Sequence, residues 1–141
     1  MNTHNAEIRF VGNSSSKYRD KIQLLQSFKY NAATDYFKSE VIPRGYKTDN
    51  ASVPDYLAWF ISPNDKRIRE ASWFHDYVWE HKYKFADQYG ITLEELRKKS
   101  NKEMQQKCIF EGLSKYKAYL VYFVLQYSPQ AKKVWREGLY F

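Results

Sequence analysis

Two short segments contain the side chains whose types and spacing could do chemistry. Residues 45–54 read as a polar turn, and residues 73–77 place a His-Asp pair in an otherwise apolar helix. An imidazole beside carboxylates is the arrangement that a general base or a divalent-metal site uses. The candidate catalytic residues, which are equally the candidate metal ligands, are His75, Asp76 and Asp49, with Ser52 and Thr48 in supporting positions.

The same residues also have a purely structural interpretation. On a helical wheel, His75 lies in the middle of the apolar stripe of a helix over 64–83, so its ring should face the interior. A buried imidazole needs a partner for each ring nitrogen. In this interpretation Asp49 closes an Asx turn and Ser52 caps a helix that begins at Val53. Both interpretations predict that the turn packs against the helix.

A metal at this site would be a hard cation. The chain has three histidines: one at position 4 in a polar N-terminal tail, His75, and His81. On the same helix His81 points about 120° away from His75. A metal would therefore rely on carboxylates such as Asp49 and Asp76, which favours Mg²⁺ or Mn²⁺ over structural zinc. The single cysteine, Cys108, cannot form an internal disulfide, and we expect it to be a small buried hydrophobe.

The residues before the polar turn read as strands. Residues 7–43 are mainly extended in pattern, after a flexible tail at 1–6. Over 21–42 apolar side chains alternate and turn-forming residues divide the segment, which predicts a β-hairpin. The first strand of this hairpin should present four side chains on one face: Ile22, Leu24, Phe28 and Tyr30.

The residues after the turn read as helices, each with a recognisable start. Capping sequences begin at Ser52, Ser62 and Thr92, while Gly112 and Gly138 are typical helix stops. Over 52–138 we expect helices near 53–61, 64–83, 93–111, 115–127 and 129–137. The chain, 1–141, should then be a single α+β domain in which an N-terminal antiparallel hairpin or small sheet packs against a C-terminal bundle of four to five helices.

Charge is distributed unevenly along the chain. The net charge is +7, and residues 97–141 account for it with ten basic and three acidic side chains. The densest basic group, Lys98, Lys99 and Lys102, fits either a nucleic-acid contact or a solvated helix surface. Five aromatics follow at helical spacing, and we expect them in the core rather than in a base-stacking platform: Tyr116, Tyr119, Tyr122, Phe123 and Tyr127.

The sequence shows no segment suited to a bilayer. Its most apolar run, residues 118–125, is far shorter than the ~20 residues that a membrane span requires. The N-terminal residues contain no apolar core of a secretory signal. We therefore expect no membrane contact and a cytoplasmic location.

Two motifs together resemble a family of small uncharacterised proteins encoded in tailed-phage and prophage genomes. The motifs are Gly45-Tyr46-x-Thr48-Asp49-x-Ala51-Ser52-x-Pro54 and His75-Asp76-Tyr77. The resemblance spans roughly residues 20–127 and implies phage origin without implying a reaction. Similar proteins tend to carry an Ala-Asp pair on the following long helix, where this chain reads Ser100-Asn101. If that aspartate were a metal ligand, Asn101 would be a weaker one.

Three functions are consistent with these features. The first is a phage accessory protein that binds a host or phage protein, such as a defence or virion-assembly factor, in the host cytoplasm or in association with the virion. The second is a small hydrolase, metal-dependent or not, that acts on a phosphate or peptide substrate through the His75 site. The third is nucleic-acid binding through Lys98, Lys99 and Lys102.

Overall fold

The structure, a computed structural model, describes residues 8–12, 21–24, 27–43, 47–49 and 65–137, with side chains mainly over 29–43 and 65–137. The strands are β1 (Ile8–Gly12), β2 (Lys21–Leu24), β3 (Phe28–Tyr30), β4 (Glu40–Ile42) and β5 (Lys47–Asp49). The helices are α1 (Lys66–Glu80), α2 (Lys82–Tyr89), α3 (Leu93–Phe110), α4 (Lys115–Tyr127) and α5 (Pro129–Glu137). Strands followed by helices confirm the predicted α+β class.

The strands form two small antiparallel sheets. In one sheet β2 lies between β1 and β5, with Ile22 opposite Thr48. In the other sheet β3 pairs with β4, with Phe28 opposite Ile42. Tyr30 and Ile42 of this second sheet are fully buried, so the β3–β4 pair contributes directly to the core.

The two sheets divide the predicted hairpin. β3 and β4 pair as the hairpin requires, but β2 belongs to the other sheet, so the expected continuous strand from Ile22 to Tyr30 is wrong. Apolar residues continue to alternate with period two across the break between β2 and β3. This period alone cannot show that the two strands belong to different sheets. The second strand of the hairpin, predicted over 36–42, shortens to Glu40–Ile42, because bends and turns occupy 33–37 and begin where the N–H groups of Ala33 and Thr34 donate to Glu103 of α3.

Three predicted helices are confirmed to within a residue at each boundary: α3, α4 and α5. α3 begins with the predicted capping box, in which Thr92 Oγ1 accepts from the N–H of Glu95 and the Glu95 carboxylate accepts from the N–H of Thr92. After α3, Gly112 has a φ of 103°, a conformation that favours glycine. No helix in the described ranges combines the length and hydropathy that a bilayer crossing demands.

The helix predicted over 64–83 is instead two helices. α1 is capped by Asp65, whose carboxylate accepts from the N–H of Arg67. The backbone leaves the helical conformation at His81, and α2 then continues the chain. The helix predicted over 53–61, with its cap at Ser52, lies outside the described residues.

α3 packs between α1 and α4, and the core lies on both sides of α1. One cluster joins α1 and α2 to the β3–β4 sheet, and in it the ring of Phe74 stacks on Tyr30 with 4.1 Å between centroids. The other cluster joins α1, α3 and α4 and contains Cys108. This thiol is buried, as expected, and burial raises its pKa to about 12.

The aromatic side chains of α4 are not in the core, contrary to the expectation from sequence. Four of them are exposed, by 74, 47, 55 and 59% in chain order: Tyr116, Tyr119, Phe123 and Tyr127. Tyr122 is half-buried. The expectation failed because α4 buries a narrow stripe of Ala118, Val121 and Leu125, and helical spacing gives the same signal for an apolar face in water as for one in the core.

Candidate functional site

His75 lies inside the protein, where α1 packs against α3. Its side chain is 1% exposed, and its Nε2 lies 2.7 Å from Oδ1 of Asn101. Because an amide oxygen only accepts, Nε2 carries the proton and donates it. Asn101 in turn donates from Nδ2 to Oε1 of Gln126 on α4, at 2.9 Å. These three side chains, here termed the polar row, link three helices.

The surroundings of His75 keep its imidazole neutral. Burial lowers the pKa of His75 from 6.5 to about 4, and the opposing effect of the hydrogen bond with Asn101 is smaller. The indole of Trp79 lies against the imidazole, with 4.6 Å between ring centroids. Among the described residues, His75 Nδ1 has no hydrogen-bond partner. The ring at neutral pH is therefore uncharged, and one of its nitrogens is a buried acceptor.

Further hydrogen bonds flank the polar row and hold the same helices together. Ser100 accepts from Nε1 of Trp79 at 2.9 Å and donates to the carbonyl of Arg97 at 2.8 Å. The buried guanidinium of Arg97 donates to the carbonyls of Leu125 and Gln126. These carbonyls are at the C-terminal end of α4, where backbone acceptors lack helical partners and a cation is stabilising. The polar side of α3 thus fixes its two neighbours.

Of the other candidate residues of the predicted site, the structure describes the side chain of one, Asp76. Asp76 is buried in α1, at 3% exposed. Thr48 and Asp49 are in β5, where side chains are not described, and Ser52 lies outside the described residues. The predicted contact between Asp49 and His75 therefore stays a prediction, as does the hydrolase that depends on it. In the part of the chain that the structure describes, no three His, Cys, Asp or Glu side chains are grouped as a metal site would need.

A buried carboxylate joins α3 to the segment between β3 and β4. Glu103 is 1% exposed and accepts from the hydroxyl of Tyr30. It also accepts from the N–H groups of Ala33 and Thr34, at 2.8 and 3.0 Å, and from the Thr34 hydroxyl at 2.6 Å. Both oxygens are occupied, so this carboxylate holds the segment in place.

A second buried carboxylate, Glu70, has fewer partners. It is 4% exposed, and among the described residues its Oε2 has no hydrogen-bond partner. Burial raises the pKa of Glu70 to about 7, against the attraction of Lys107. Lys107 itself is buried, donates to the carbonyl of Asn31 at 3.0 Å and lies 3.4 Å from Oε2 of Glu111. The charge on Glu70 therefore changes near neutral pH.

The predicted basic group lines an open cavity on another side of α3. This lysine cavity has a volume of about 500 Å³ and is lined by Tyr36, Glu95, Lys98, Lys99, Lys102 and Tyr122. Nζ of Lys99 lies 5.5 Å from the ring centre of Tyr36, and Nζ of Lys102 lies 4.9 Å from that of Tyr122. Within the described ranges, none of the three lysines forms an ion pair with a carboxylate.

The polar row and the cavities are separate features. A second cavity, of about 540 Å³, lies beside Lys107 between α3 and the segment that follows β3. His75 lines neither of these two cavities. In the described structure, then, His75 is enclosed in the protein, whereas Lys98, Lys99 and Lys102 line an open cavity.

The fold and these sites define a small α+β protein with a helical core organised around α3. The sequence model of one protein family, described as a protein of unknown function (DUF1353), matches residues 22–113. The match covers well over half of the chain, and the chain belongs to this family. No curated protein and no solved structure matches the chain. The matched residues include His75, Asn101 and the three lysines of the cavity, whereas α4 and α5 lie beyond them.

Sequence reasoning missed most of the polar residues that α3 buries. Asn101 drew attention only as a departure from a family pattern, and Arg97, Glu103 and Lys107 drew none. The sequence does contain a pattern that includes these residues, because polar residues recur at spacings of three and four along α3. Such spacing places them on common faces of the helix without showing whether a face meets water or another helix.

Proposed function

We propose that this protein acts by binding an acidic surface of a host or phage protein in the host cytoplasm, through the outward face of α4. The observation that carries this proposal is a row of exposed aromatic side chains, here termed the aromatic stripe: Tyr116, Tyr119, Phe123 and Tyr127. A defence factor or a virion-assembly factor is the kind of partner a phage accessory protein would engage, and the resemblance of the two sequence motifs to those of phage-encoded proteins supports that setting.

The aromatic stripe has the composition of a protein contact. At 100° per residue its four members fall within an arc of about 80°, opposite the side of α4 that packs on α3. Contiguous exposed apolar surface is uncommon on a monomer and marks sites of interaction. Tyrosine and phenylalanine are enriched in interfaces, where a few buried aromatic anchors supply most of the binding free energy.

The charge around the stripe favours an acidic partner. Residues 112–136 contain five basic and no acidic side chains. Lys115 and Lys117 are in the first turn of α4, and Lys132, Lys133 and Arg136 are in α5. Basic side chains on α4, which carries the stripe, and on the neighbouring α5 attract a negatively charged surface during encounter and disfavour a positively charged one.

Site-specific photocrosslinking in host cells that carry the phage tests this proposal. A photoreactive phenylalanine analogue is placed at position 116 or 123 of the stripe. Position 83 is the matched control, because Tyr83 is exposed by 71% on α2 and lies outside the stripe. We expect one acidic protein to be crosslinked from both stripe positions and not from position 83.

The purified partner then provides the decisive measurement. Tyr116→Ser combined with Phe123→Ser should weaken binding about tenfold or more, because aromatic anchors dominate such interfaces. Tyr83→Ser should leave it unchanged, and added salt should weaken binding by the parent protein. Equal crosslinking from all three positions, or equal affinity of the stripe and control variants, would reject α4 as the contact surface.

A further inference from the structure

We infer that the lysine cavity binds a nucleoside phosphate, either as a free nucleotide or as one unit of a single-stranded nucleic acid. The inference rests on residues other than the aromatic stripe, and the two surfaces adjoin, because Tyr122 of the cavity lies edge-on to Phe123 of the stripe with 6.2 Å between ring centroids. It joins three elements: α3 supplies the lysines, the segment between β3 and β4 supplies Tyr36, and α4 supplies Tyr122.

The cavity concentrates three positive charges against one carboxylate, and none of the three lysines forms an ion pair in the described protein. Lys98, Lys99 and Lys102 are spaced so that they lie on one side of α3, where like charges repel each other. The one carboxylate in the lining, Glu95, already accepts from the N–H and the hydroxyl of Thr92, at 3.3 and 3.2 Å, in the capping box of α3. A phosphate group would supply negative charge to balance the three ammonium groups.

Two aromatic rings flank these ammonium groups. Tyr36 is 44% exposed, so its ring is open to a ligand, and Tyr122 is half-buried. The phenol of Tyr122 is uncharged at neutral pH, as a tyrosine ordinarily is, and burial raises its pKa further, so it adds no negative charge to the cavity. Bases of every type stack on aromatic side chains, and a basic groove with such rings is how single-stranded nucleic acid is bound without sequence preference.

The present positions of the lysines suggest how a nucleotide enters. The ammonium groups of Lys99 and Lys102 lie over the rings of Tyr36 and Tyr122. A cation over an exposed ring is held weakly. A phosphate would therefore draw both ammonium groups away and uncover the ring faces for the base. The cavity volume, about 500 Å³, is within the range of small-molecule sites, roughly 300–1,000 Å³.

Isothermal titration with four probes tests the inference on the full-length protein. The probes are uridine monophosphate, inorganic phosphate, a short single-stranded thymidine oligonucleotide and a polyglutamate peptide. We expect uridine monophosphate to bind more tightly than inorganic phosphate, and polyglutamate to bind no more tightly than uridine monophosphate. If the oligonucleotide binds more tightly still, with a salt slope of about 0.7 per phosphate contact, the source is nucleic acid; if it does not, the source is a free nucleotide.

Variants assign the binding to the cavity. Lys99→Met combined with Lys102→Met should weaken uridine monophosphate about tenfold or more, because charge-assisted contacts to phosphate are lost. Lys132→Met combined with Lys133→Met removes the same charge from α5 and is the matched control, with an expected change below about twofold. Tyr36→Leu should weaken uridine monophosphate and leave inorganic phosphate unchanged.

Four results would overturn the inference. They are the absence of binding by any phosphate-containing probe, an equal loss in the α5 control, tighter binding of polyglutamate than of either nucleotide probe, and no effect of Tyr36→Leu on uridine monophosphate. Melting temperatures close to that of the parent confirm that each variant is folded. The lysines of both pairs and Tyr36 are at least partly exposed, so folding should not depend on them.

Discussion

α3 carries polar side chains on two of its sides, and the two sets differ in burial and in hydrogen bonding. In the polar row, His75 and Asn101 are at most 1% exposed, and hydrogen bonds pass from one to the next as far as Gln126. In the lysine cavity, three lysines line an open space, two of their ammonium groups lie over tyrosine rings, and none forms an ion pair with a carboxylate among the described residues. Buried polar groups must be paired for a fold to be stable, whereas a cluster of like charges at the surface gains nothing from the fold. Enclosure and hydrogen bonds between helices therefore indicate scaffold for the polar row, in which Nδ1 of His75 has no partner among the described residues, and exposed convergence of like charges indicates a binding site.

The largest effect expected from this comparison is on stability. His75→Ala should lower the free energy of unfolding by about 2–4 kcal/mol, because it leaves a cavity in the core and removes the partner of the buried Asn101 amide. His81→Ala is the control, since His81 is exposed and its ring touches Tyr77 only edge-on, and it should lower stability by less than about 1.5 kcal/mol. Urea denaturation of both variants beside the parent provides the measurement. A His75→Ala variant as stable as the parent would place His75 outside the scaffold.

The second effect is a loss of stability in acid. The unfolded chain protonates His75 near pH 6.5 and the folded chain only near pH 4, so between these values the unfolded state binds more protons. The free energy of unfolding should therefore fall as the pH falls through this window, by up to about 3 kcal/mol from this residue. His75→Leu lacks the titrating group, so the stability gap between it and the parent should narrow on acidification. A gap that is constant from neutral pH to pH 4 would contradict the neutral, buried imidazole.

An effect of opposite sign is expected at Glu70, discounted because its carboxylate is less completely desolvated than His75. Its pKa is raised from 4.5 to about 7, so the folded state binds more protons between these values and the parent loses stability as the pH rises through them. Glu70→Gln keeps the shape and removes the titration. The variant should therefore gain stability relative to the parent between pH 4.5 and 7, as measured by melting temperature in a buffer series. A difference that stays level, or that favours the parent with rising pH, would show that Lys107 compensates the buried charge.

The smallest stability effect is expected in the lysine cavity. Lys98, Lys99 and Lys102 can each be replaced by methionine with a change below about 1 kcal/mol, because the relieved repulsion is small and, for Lys99 and Lys102, is opposed by the loss of an equally small cation–π contact. Thermal melts of the single variants and of the triple variant test this. A large loss would show that the lysines support the fold, and the contrast with the polar row would then disappear.

The sequence predicted the helices better than the sites. Caps at Thr92 and stops near Gly112 are local signals, and they located α3, α4 and α5. The prediction of one hairpin strand failed between Leu24 and Phe28, because a change of sheet leaves the two-residue period of the apolar side chains unchanged. The break at His81 has no comparable signal in the hydrophobic pattern of 64–83.

The candidate site was predicted only in part, for a physical reason. The wheel position of His75 indicated burial correctly, but its partner proved to be an amide on α3. A contact between residues 26 apart depends on how α1 and α3 pack, which no local pattern encodes. The exposure of Phe123 and Tyr127 was not predicted for the same reason, since the sequence pattern of an apolar helix face is the same whether or not a neighbouring element covers that face.

Chemical-shift mapping by NMR most directly distinguishes the enclosed polar row from the open lysine cavity. The measurement adds uridine monophosphate to the isotopically labelled protein and follows backbone amides together with the imidazole signals of His75. We expect the shifts to concentrate at the backbone amides of Lys98, Lys99, Lys102, Tyr36 and Tyr122, while the His75 imidazole stays unchanged. Shifts centred on His75, with the lysines of α3 unaffected, would contradict the assignment of scaffold and binding site made here.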